Sequence, residues 1–420
     1  MYLQQLNLTN FRNYENVNIE LGRGINIFYG NNAQGKTNIL EGIYFLALTK
    51  SHRTNNDYEL LKENKESFSV NGSLIKDDMT YKLKIQYIDK KKKYYIDNSE
   101  IKKSTDFLSN LNVIIFYPDD IELIKGMPEV RRKFLNTELS QLYPIYFRVL
   151  NEYNKLLKMR NDLLKKANNR ERIDMDYLKI LNTYFVEKAV FIYRARKKFL
   201  DKLSYNASII YSDISKNKNF SINYITKPKI EDFSNEELTK FLTLKLDEAF
   251  LEEVNVGSSL YGPHRDDIEF LLDGKNLRKY GSQGQQKLSV LASKLAEINI
   301  FEGVNTNKPL LLLDDVFSEF DVLKKNNILK YINESIQTIV TTTELTNISN
   351  EILANSHIYY VENGIVEENK RWKYGRRKQT LWCFGHSSSW RFRSSKKKTW
   401  YVYRYNRCKR ITSFSMGNSW

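Results

Sequence analysis

The segment Gly30–Thr37 constrains the fold of this chain more than any other feature of its sequence. It has the pattern Gly-x-x-x-x-Gly-Lys-Thr and lies between the alternating strand pattern of Ile25–Tyr29 and an apolar helical pattern that runs to Leu48. A strand, a glycine-containing turn and a helix in this order form a loop whose N–H groups point at a phosphate. The sequence therefore predicts a nucleotide-binding α/β domain.

Each residue type of this loop has a task in the predicted site. The glycines let the backbone wrap a phosphate, Lys36 supplies a cation for the β- and γ-phosphates, and the Thr37 hydroxyl can bind Mg²⁺. A turn of purely structural role is the alternative. The residues predicted to bind the nucleotide are Gly30, Asn31, Asn32, Ala33, Gln34, Gly35, Lys36, Thr37 and Asn38.

Two carboxylates follow a short apolar run late in the chain. Residues 310–313 are four leucines, which is typical of a strand in the centre of a parallel sheet, and Asp314 and Asp315 come directly after them. Charges at such a buried place are costly unless a cation is present. We therefore predict that Asp314 binds Mg²⁺ and that Asp315, as a catalytic residue together with Lys36, polarises the attacking water. A helix N-cap is the alternative.

A third polar turn precedes a helical pattern. It comprises Ser282, Gln283, Gly284 and Gln285. N–H groups, a hydroxyl and an amide at a helix N-terminus form a second surface for phosphate. Because the first loop already holds a nucleotide, we expect this turn to contact the γ-phosphate of a nucleotide bound to a partner subunit. An ordinary capped helix is the alternative.

Several basic groups leave their role open. A hairpin predicted at 81–96 carries a lysine-rich tip at Asp89–Lys93, which suits either a solvated turn or a contact with the DNA backbone. Two further basic groups suit either DNA contacts or solvated helix faces: Arg131-Arg132, and the run Arg194, Arg196, Lys197 and Lys198. His264 has no second histidine at metal-ligand spacing, so a loop or interface role is favoured over zinc.

Composition separates the end of the chain from the rest. Residues 371–420 contain 14 Lys and Arg and no Asp or Glu, so 52 of the 66 basic residues remain in residues 1–370 against all 50 acidic ones. The same segment holds all five tryptophans and both cysteines. The basic, aromatic composition suits nucleic-acid binding, but we favour a tail at 369–420 that is translated out of frame or disordered.

The rest of the chain has neither cysteine nor any run of about 20 apolar residues, and the N-terminus does not look like a signal peptide. A cytoplasmic protein without a membrane partner is expected. Long helical periodicity predicts a helical lobe inserted into a strand-rich one. The predicted segments are the first lobe's N-terminal part at 1–125, the helical second lobe at 126–245, its signature-loop region at 246–300, and the first lobe's C-terminal part at 301–368.

Over residues 1 to about 368 the chain resembles the RecF family of bacterial recombination mediators, within the wider group of ABC-type ATPase heads that includes SMC proteins. The three motifs occur in the family's order, as Walker A, signature loop and Walker B. Other segments that carry the resemblance are Leu8–Tyr14, Lys50–Thr54, Lys125–Leu135, Tyr261–Asp267 and Asp314–Asp321.

The resemblance implies an α/β, ABC-type P-loop ATPase head with mixed and antiparallel sheets plus an inserted helical subdomain. It implies ATP and Mg²⁺ as cofactors, and an ATP-dependent homodimer in which the turn at Ser282–Gln285 contacts the other subunit's ATP. It places Ser318 and Asp321 in the loop after Walker B. It implies binding of single-stranded, duplex or gapped DNA, and work with RecO and RecR in loading RecA, with support of the SOS response.

Three departures from transporter-type ABC proteins bear on the activity. Gln283 replaces a second glycine, Thr341–Thr343 stand where a switch histidine is usual, and the second Walker B acid is Asp315 rather than glutamate. The shorter carboxylate favours slow turnover, as in a weak ATPase that serves as a DNA-binding switch. One alternative is a motor ATPase subunit that acts on a partner other than DNA. Another is a regulatory protein that binds ATP and never hydrolyses it.

Overall fold

A computed structural model describes residues 1–108, 110–215, 218–227, 229–304, 308–316, 336–346 and 348–369. The chain divides into two units, Met1–Lys373 and Tyr374–Trp420, and every described residue belongs to the first. No helix within the described ranges has the length and apolar character needed to cross a bilayer.

The described residues form strands and helices in an interleaved order. The strands are β1 (Tyr2–Phe11), β2 (Tyr14–Glu20), β3 (Ile25–Tyr29), β4 (Phe68–Lys76), β5 (Met79–Ile88), β6 (Lys91–Ile96), β7 (Ser99–Ile101), β8 (Val113–Phe116), β9 (Phe220–Ile225), β10 (Asp267–Leu272), β11 (Lys275–Asn276), β12 (Leu310–Asp314), β13 (Thr338–Thr342), β14 (His357–Glu362) and β15 (Ile365–Glu368). The helices are α1 (Lys36–Leu48), α2 (Ser104–Phe107), α3 (Glu122–Lys125), α4 (Pro128–Leu142), α5 (Pro144–Asn168), α6 (Met175–Ser215), α7 (Asn235–Glu248), α8 (Phe250–Val256), α9 (Leu277–Tyr280), α10 (Gln283–Val304) and α11 (Asn350–Ala354).

A mixed six-stranded sheet forms the centre of the unit. Its order is β15-β14-β3-β13-β12-β8, and all neighbouring pairs are parallel except β14 and β15. The four leucines of β12 are buried because the sheet is covered on both faces: Leu311 and Leu313 belong to one apolar cluster, and Leu310 and Leu312 to the other. Parallel strands buried on both faces read as continuous apolar runs.

An antiparallel sheet of six strands packs on one side of α1. Its order is β2-β1-β4-β5-β6-β7. Along β1 and β4, buried apolar residues, which face α1, alternate with more exposed residues on the outer face. The fit against α1 is close, since a Cβ at Gly72 of β4 would stand 2.5 Å from the Leu46 side chain. This sheet, α1 and the near face of the mixed sheet enclose the second apolar cluster.

Long helices cover the other face of the mixed sheet. Helices α5 and α6 pack side by side, and α10 and α7 pack on α6. A three-stranded antiparallel sheet, β11-β10-β9, completes this region. The prediction of mixed and antiparallel sheets with an inserted helical part is therefore confirmed, whereas the lobe boundaries at 125, 245 and 300 stay predictions.

Two expectations about basic residues need correction. The hairpin turn contains only Asp89 and Lys90, whose φ values of 51° and 58° are left-handed, and Lys91–Lys93 belong to strand β6. A two-residue turn with both φ values positive matches the twist of its strands, so pairing continues to the turn. The lysine-rich tip was predicted too long.

Two arginines expected on a DNA contact or a solvated helix face are buried instead. Arg131 pairs with Asp267 at 2.5 Å, and Arg196 pairs with Asp266 at 3.0 Å, with both guanidinium groups about as buried as core residues. Their carboxylate partners lie more than 60 residues away in the sequence. His264 donates or accepts a hydrogen bond with the Tyr153 hydroxyl at 2.6 Å, within the fold.

Candidate functional site

The predicted phosphate loop lies at the carboxyl end of β3, directly before α1. Gly30 has φ 151° and Gly35 has φ 112°, which favour glycine. A Cβ at Gly30 would stand 2.3 Å from the Val361 carbonyl oxygen, and one at Gly35 would stand 2.5 Å from the Asn13 side chain. Both glycines are therefore required by space as well as by conformation.

The turn between β1 and β2 braces the loop from behind. Asn13 donates a hydrogen bond to the Gln34 carbonyl at 3.1 Å and accepts one from Asn38 at 2.8 Å. The Tyr14 hydroxyl donates to the Gly35 carbonyl at 3.1 Å. These contacts hold the loop in shape, while the exposed backbone of Asn31–Ala33 stays open to a ligand.

Lys36 turns its ammonium group back onto the loop. The Nζ atom donates to the carbonyl oxygens of Gly30 at 2.6 Å and Asn31 at 2.7 Å, and the residue is 8% exposed. Burial lowers the pKa of Lys36, and the nearby carboxylates of Asp315 and Asp314 oppose that shift. A charged, strongly hydrated group held beside two carbonyls suits the binding of a phosphate oxygen.

The order of the mixed sheet brings Thr37 and Asp314 together across 277 residues of sequence. The Thr37 hydroxyl lies 2.9 Å from Asp314 Oδ1 and 3.0 Å from Oδ2. Strand β13 lies between β3 and β12, and its Thr341 donates to Asp314 Oδ1 at 2.6 Å. Burial raises the pKa of Asp314, while the hydrogen bonds from Thr341 and Thr37 oppose the rise.

Asp315 begins the chain segment that leaves this strand. Its φ of 51° is left-handed, and its N–H donates to the Thr341 hydroxyl oxygen at 3.0 Å. Thr341 thus contacts both acidic residues through one hydroxyl group. This hydroxyl group therefore helps to position the Asp314 carboxylate and the backbone of Asp315.

The donor set fits Mg²⁺ held jointly by protein and nucleotide. A hydroxyl and a carboxylate oxygen, on Thr37 and Asp314, are hard ligands of the kind Mg²⁺ prefers, and Mg²⁺ usually takes its other ligands from phosphate and water. Among the described residues no group of three His, Cys, Asp or Glu side chains is arranged to hold a metal alone.

The second predicted phosphate surface lies at the start of α10. The Ser282 N–H donates to Gln285 Oε1 at 2.9 Å, and the Gln285 N–H donates to Ser282 Oγ at 3.3 Å. This reciprocal pair is a capping box, so the ordinary capped helix is correct as a description of the turn. The cap uses the serine oxygen as an acceptor, which leaves the hydroxyl hydrogen able to donate to a phosphate.

Gly284 lies at an open position within the described part of the chain. A Cβ at this position would meet no described atom within 4 Å, and the residue lies in the exposed first turn of α10, where φ is not left-handed. Glycine in a helix is destabilising relative to alanine by roughly 0.5–1 kcal/mol. The turn therefore gives up stability for an open surface, which suits close approach by something outside the chain.

Sequence reasoning missed a buried carboxylate in α1, which joins this helix to two other segments behind the phosphate loop. Glu41 lies inside α1 with a fully buried side chain, and it accepts hydrogen bonds from Arg12 at 2.7 and 2.8 Å and from Ser51 at 2.5 Å. Arg53 lies 3.4 Å from the same carboxylate and also bonds Asn38 at 2.9 Å. The residues around it belong to two segments that carry the family resemblance, which was the available signal.

Replacing Arg12 with alanine is expected to destabilise the chain by about 2–3 kcal/mol at neutral pH, because it leaves a buried carboxylate with fewer partners. Burial by itself would raise the pKa of Glu41, but hydrogen bonds from Arg12 and Ser51 hold it below its usual value. The stabilisation is thus present above the carboxyl pKa of the unfolded chain and is lost as pH falls through the folded value. On acidification, the variant should therefore reach its unfolding midpoint at a higher pH than the parent. Denaturant titrations at a series of pH values measure this difference.

A matched control is the exposed ion pair between Lys65 and Glu15. Exposed pairs contribute about 0–1 kcal/mol, so Lys65→Ala should leave both the free energy of unfolding and its pH dependence near those of the parent. Equal stability of the Arg12 and Lys65 variants would show that Glu41 does not need its arginine.

The structure brings together the predicted loop with Thr37, Asp314 and Asp315, and it places the signature turn on another element. Within the described residues, side-chain hydrogen bonds of that turn stay between positions 277 and 289. Ser318 and Asp321 lie outside the described residues, as do residues 370–420 of the predicted tail. Sequence reasoning also missed Asn363, whose N–H donates to Gln34 Oε1 at 2.6 Å from the β14–β15 turn.

The chain is similar in sequence to known proteins over most of its length. The family model of the RecF/RecN/SMC N-terminal domain matches residues 2–367. The DNA replication and repair protein RecF of Listeria innocua is 39% identical over 370 residues, which are 88% of this chain and 100% of that protein. The protein of the same name from Geobacillus kaustophilus is 39% identical over 375 residues, covering 87% and 99% of the two chains.

Solved structures extend the likeness to the fold. The recombination mediator protein RecF with ATP, from the RecFOR pathway, has a TM-score of 0.81 and 33% identity, covering 88% of this chain and 97% of that one. The Smc head of Pyrococcus furiosus with an extended coiled coil, bound to the C-terminal domain of ScpA, has a TM-score of 0.51 at 17% identity, covering 88% and 96%. The latter shows the fold alone. The predicted ABC-type α/β head is confirmed.

Proposed function

The chain belongs to the RecF family, and from that premise we propose that it is a DNA-binding ATPase of recombinational repair and replication. In this proposal an ATP-dependent homodimer binds single-stranded or gapped DNA. The dimer acts with RecO and RecR to promote loading of RecA in the cytoplasm, which supports SOS induction. The names of the relatives and the ATP-bound RecF structure support this assignment.

One observation carries the proposal: a single chain has, on two different elements, a loop around Lys36 and an exposed turn at Ser282 that each have groups suited to binding phosphate. In the loop around Lys36, the ammonium group donates to the Gly30 carbonyl, and the Thr37 hydroxyl lies within hydrogen-bond distance of Asp314. The turn at Ser282 is exposed, capped, and open around Gly284. Two copies placed so that each turn meets the other's loop would enclose two nucleotides.

Each residue has a separable task in such an enclosure. The loop N–H groups and Lys36 bind and orient the phosphates. Thr37 and Asp314 would hold Mg²⁺, which when bound neutralises charge on the β- and γ-phosphates. Asp315 would accept a hydrogen bond from the attacking water. Ser282 would donate its hydroxyl hydrogen to the γ-phosphate of the nucleotide held by the partner, so this contact forms only in the dimer.

The experiment that tests the DNA assignment is a binding titration of the whole chain with single-stranded, duplex and gapped DNA, with and without ATP. Binding that strengthens with ATP supports the proposal. Since phosphate contacts dominate non-specific affinity at low salt, lack of affinity for every DNA at low salt would favour a motor subunit with another partner. We know of no feature of the described residues that favours that rival.

Lys36→Arg is expected to keep most nucleotide binding and to lose hydrolysis by at least about tenfold. The guanidinium group keeps the charge, but it is planar and longer than the ammonium that fits between Gly30 and Asn31, and misplacement of a transition-state contact by about 1.4 kcal/mol is already tenfold. Fluorescent-nucleotide titration and phosphate release measure the two effects separately.

Lys62 offers a matched control, since its Nζ donates to the Asn13 carbonyl at 3.2 Å behind the same loop. Lys62→Arg should leave hydrolysis unchanged. If the parent hydrolyses no ATP with any DNA, the result would favour a regulatory protein that only binds ATP. It would also contradict the catalytic roles proposed for Lys36 and Asp315.

A further inference from the structure

The outer face of the antiparallel sheet carries lysines, amides and hydroxyls in neighbouring rows. Two rows of side chains cross strands β1, β4, β5 and β6 on the side away from α1. One row is Asn7, Asn71, Lys84 and Tyr95, and the next is Thr9, Ser69, Gln86 and Lys93. We call these eight residues, with Lys91 beside them, the outer polar face.

Lysines on this hairpin divide into two kinds according to the face on which they lie. Lys92 points inward, where it pairs with Asp57 at 2.7 Å and donates to the Thr49 carbonyl at 2.8 Å. Lys91 and Lys93, on either side of it, point outward and are exposed. Within the described part of the chain, neither outward lysine forms an ion pair, so their charge is left for solvent or an external partner.

Lys84 occupies the centre of this group. It lies between the buried Leu83 and Ile85, so its side chain is on the outer face, and its ammonium stands 5.5 Å above the Tyr95 ring. Lys82 is a weaker candidate because its own N–H is bonded to Asp97, which places a carboxylate nearby. The acidic residue that borders the two rows is Glu100, opposite Tyr95 on the edge strand.

The charge is concentrated rather than general. Residues 79–96 contain six lysines and one aspartate, in a body of 370 residues that carries 52 basic and 50 acidic ones. Along a strand, side chains on one face recur about every 6.8 Å, and neighbouring strands are about 4.8 Å apart. The outer polar face is therefore a flat group of cations, amides and hydroxyls within about 14 Å across four strands.

We propose that the outer polar face binds the phosphate backbone of DNA, with Lys84, Lys91 and Lys93 as the charged contacts. Lysine, serine, threonine, asparagine, glutamine and tyrosine are the side chains that bond phosphate oxygens without reading sequence, and this face holds all six types. The inference rests on the proposed DNA-binding function and assigns it a surface.

The test is the salt dependence of DNA binding by the triple variant Lys84→Gln, Lys91→Gln and Lys93→Gln in the full chain. Each lost phosphate contact should lower the slope of log K against log salt by about 0.9 for a duplex and about 0.7 for a single strand. We expect a total loss of about 2–3 in slope with duplex DNA, and a weaker affinity that does not depend on base sequence. Comparing a duplex with a single strand shows which form of DNA the face contacts.

Two further variants separate this result from loss of folding or of net charge. The control Lys179→Gln, Lys229→Gln and Lys240→Gln removes three exposed lysines that pair with carboxylates on the same segments, and it should bind as the parent does. Arginine at positions 84, 91 and 93 should restore binding. Thermal unfolding and ATP-dependent dimerisation should be unchanged in all three.

The outcomes are distinguishable. If the parent binds DNA and the triple variant binds with the same slope and affinity, this assignment would be overturned. The proposed function would still stand. An equal loss in the control variant would also overturn it, because net charge alone would then account for the effect. A parent with no affinity for DNA at low salt would overturn both proposals together.

Discussion

Arginine in place of Ser282 is expected to abolish the ATP-dependent dimer while leaving ATP binding to the monomer intact. The Ser282 hydroxyl is exposed and its side-chain contacts lie within its own turn, so the added bulk and charge meet little of the variant's own fold. Loss of the helix cap costs about 1 kcal/mol, which a folded head of this size should tolerate. Gel filtration with light scattering, with and without ATP, measures the change.

Ser234→Arg is the matched control, since Ser234 is an exposed residue at the N-cap of α7 in the helical region. It should dimerise as the parent does. Gly284→Leu provides a second arm: its side chain enters open space within the chain, so the variant should fold at least as stably and yet fail to dimerise. Normal dimers in both the Ser282 and Gly284 variants would remove the signature turn from the interface.

Asp314→Asn is expected to lower ATP hydrolysis by about 100-fold or more, because a metal's stabilisation of developing charge is worth several kcal/mol and each 1.4 kcal/mol is tenfold. The fold should survive, since the amide oxygen still accepts from Thr37 and Thr341. Burial also raises the pKa of Asp314, so a neutral side chain is well tolerated there.

The diagnostic readout is the Mg²⁺ dependence of ATP binding and hydrolysis. The parent should respond to Mg²⁺, and the variant should respond weakly or at much higher concentration. Asp119→Asn alters an exposed carboxylate that follows β8 beside β12, and it should behave as the parent. An Asp314 variant with normal hydrolysis and normal Mg²⁺ response would refute the assigned metal ligand.

Local pattern was sufficient for the parts of the site that lie on one element. The loop at Gly30–Thr37, the acids after β12 and the turn before α10 each follow from residue types at fixed spacing beside a strand or helix. The antiparallel hairpin was also visible as alternation. The alternation did not predict the length of the turn. Asp89 and Lys90 adopt left-handed φ values without a glycine in the sequence to indicate them.

Contacts that join distant segments could not be read from spacing. Glu41 looks like one polar position in an apolar helix, and its partners Arg12 and Ser51 lie 29 and 10 residues away. A helical arginine such as Arg196 gives the same pattern whether its face is solvated or buried against Asp266, 70 residues away. Such pairs depend on how whole elements pack, which a single sequence does not record.

The proposed dimer depends on a composite nucleotide site, made from one copy's loop and the other copy's turn, and mixing two defective variants tests it most directly. Lys36→Met should fail to bind ATP and Ser282→Arg should fail to reach a partner's nucleotide, so each alone stays monomeric. Mixed together they can form one complete site, from the loop of the Ser282 variant and the turn of the Lys36 variant. We expect an ATP-dependent heterodimer in the mixture, measured by light scattering with differently tagged chains. A mixture that stays monomeric under conditions in which the parent dimerises would contradict the account.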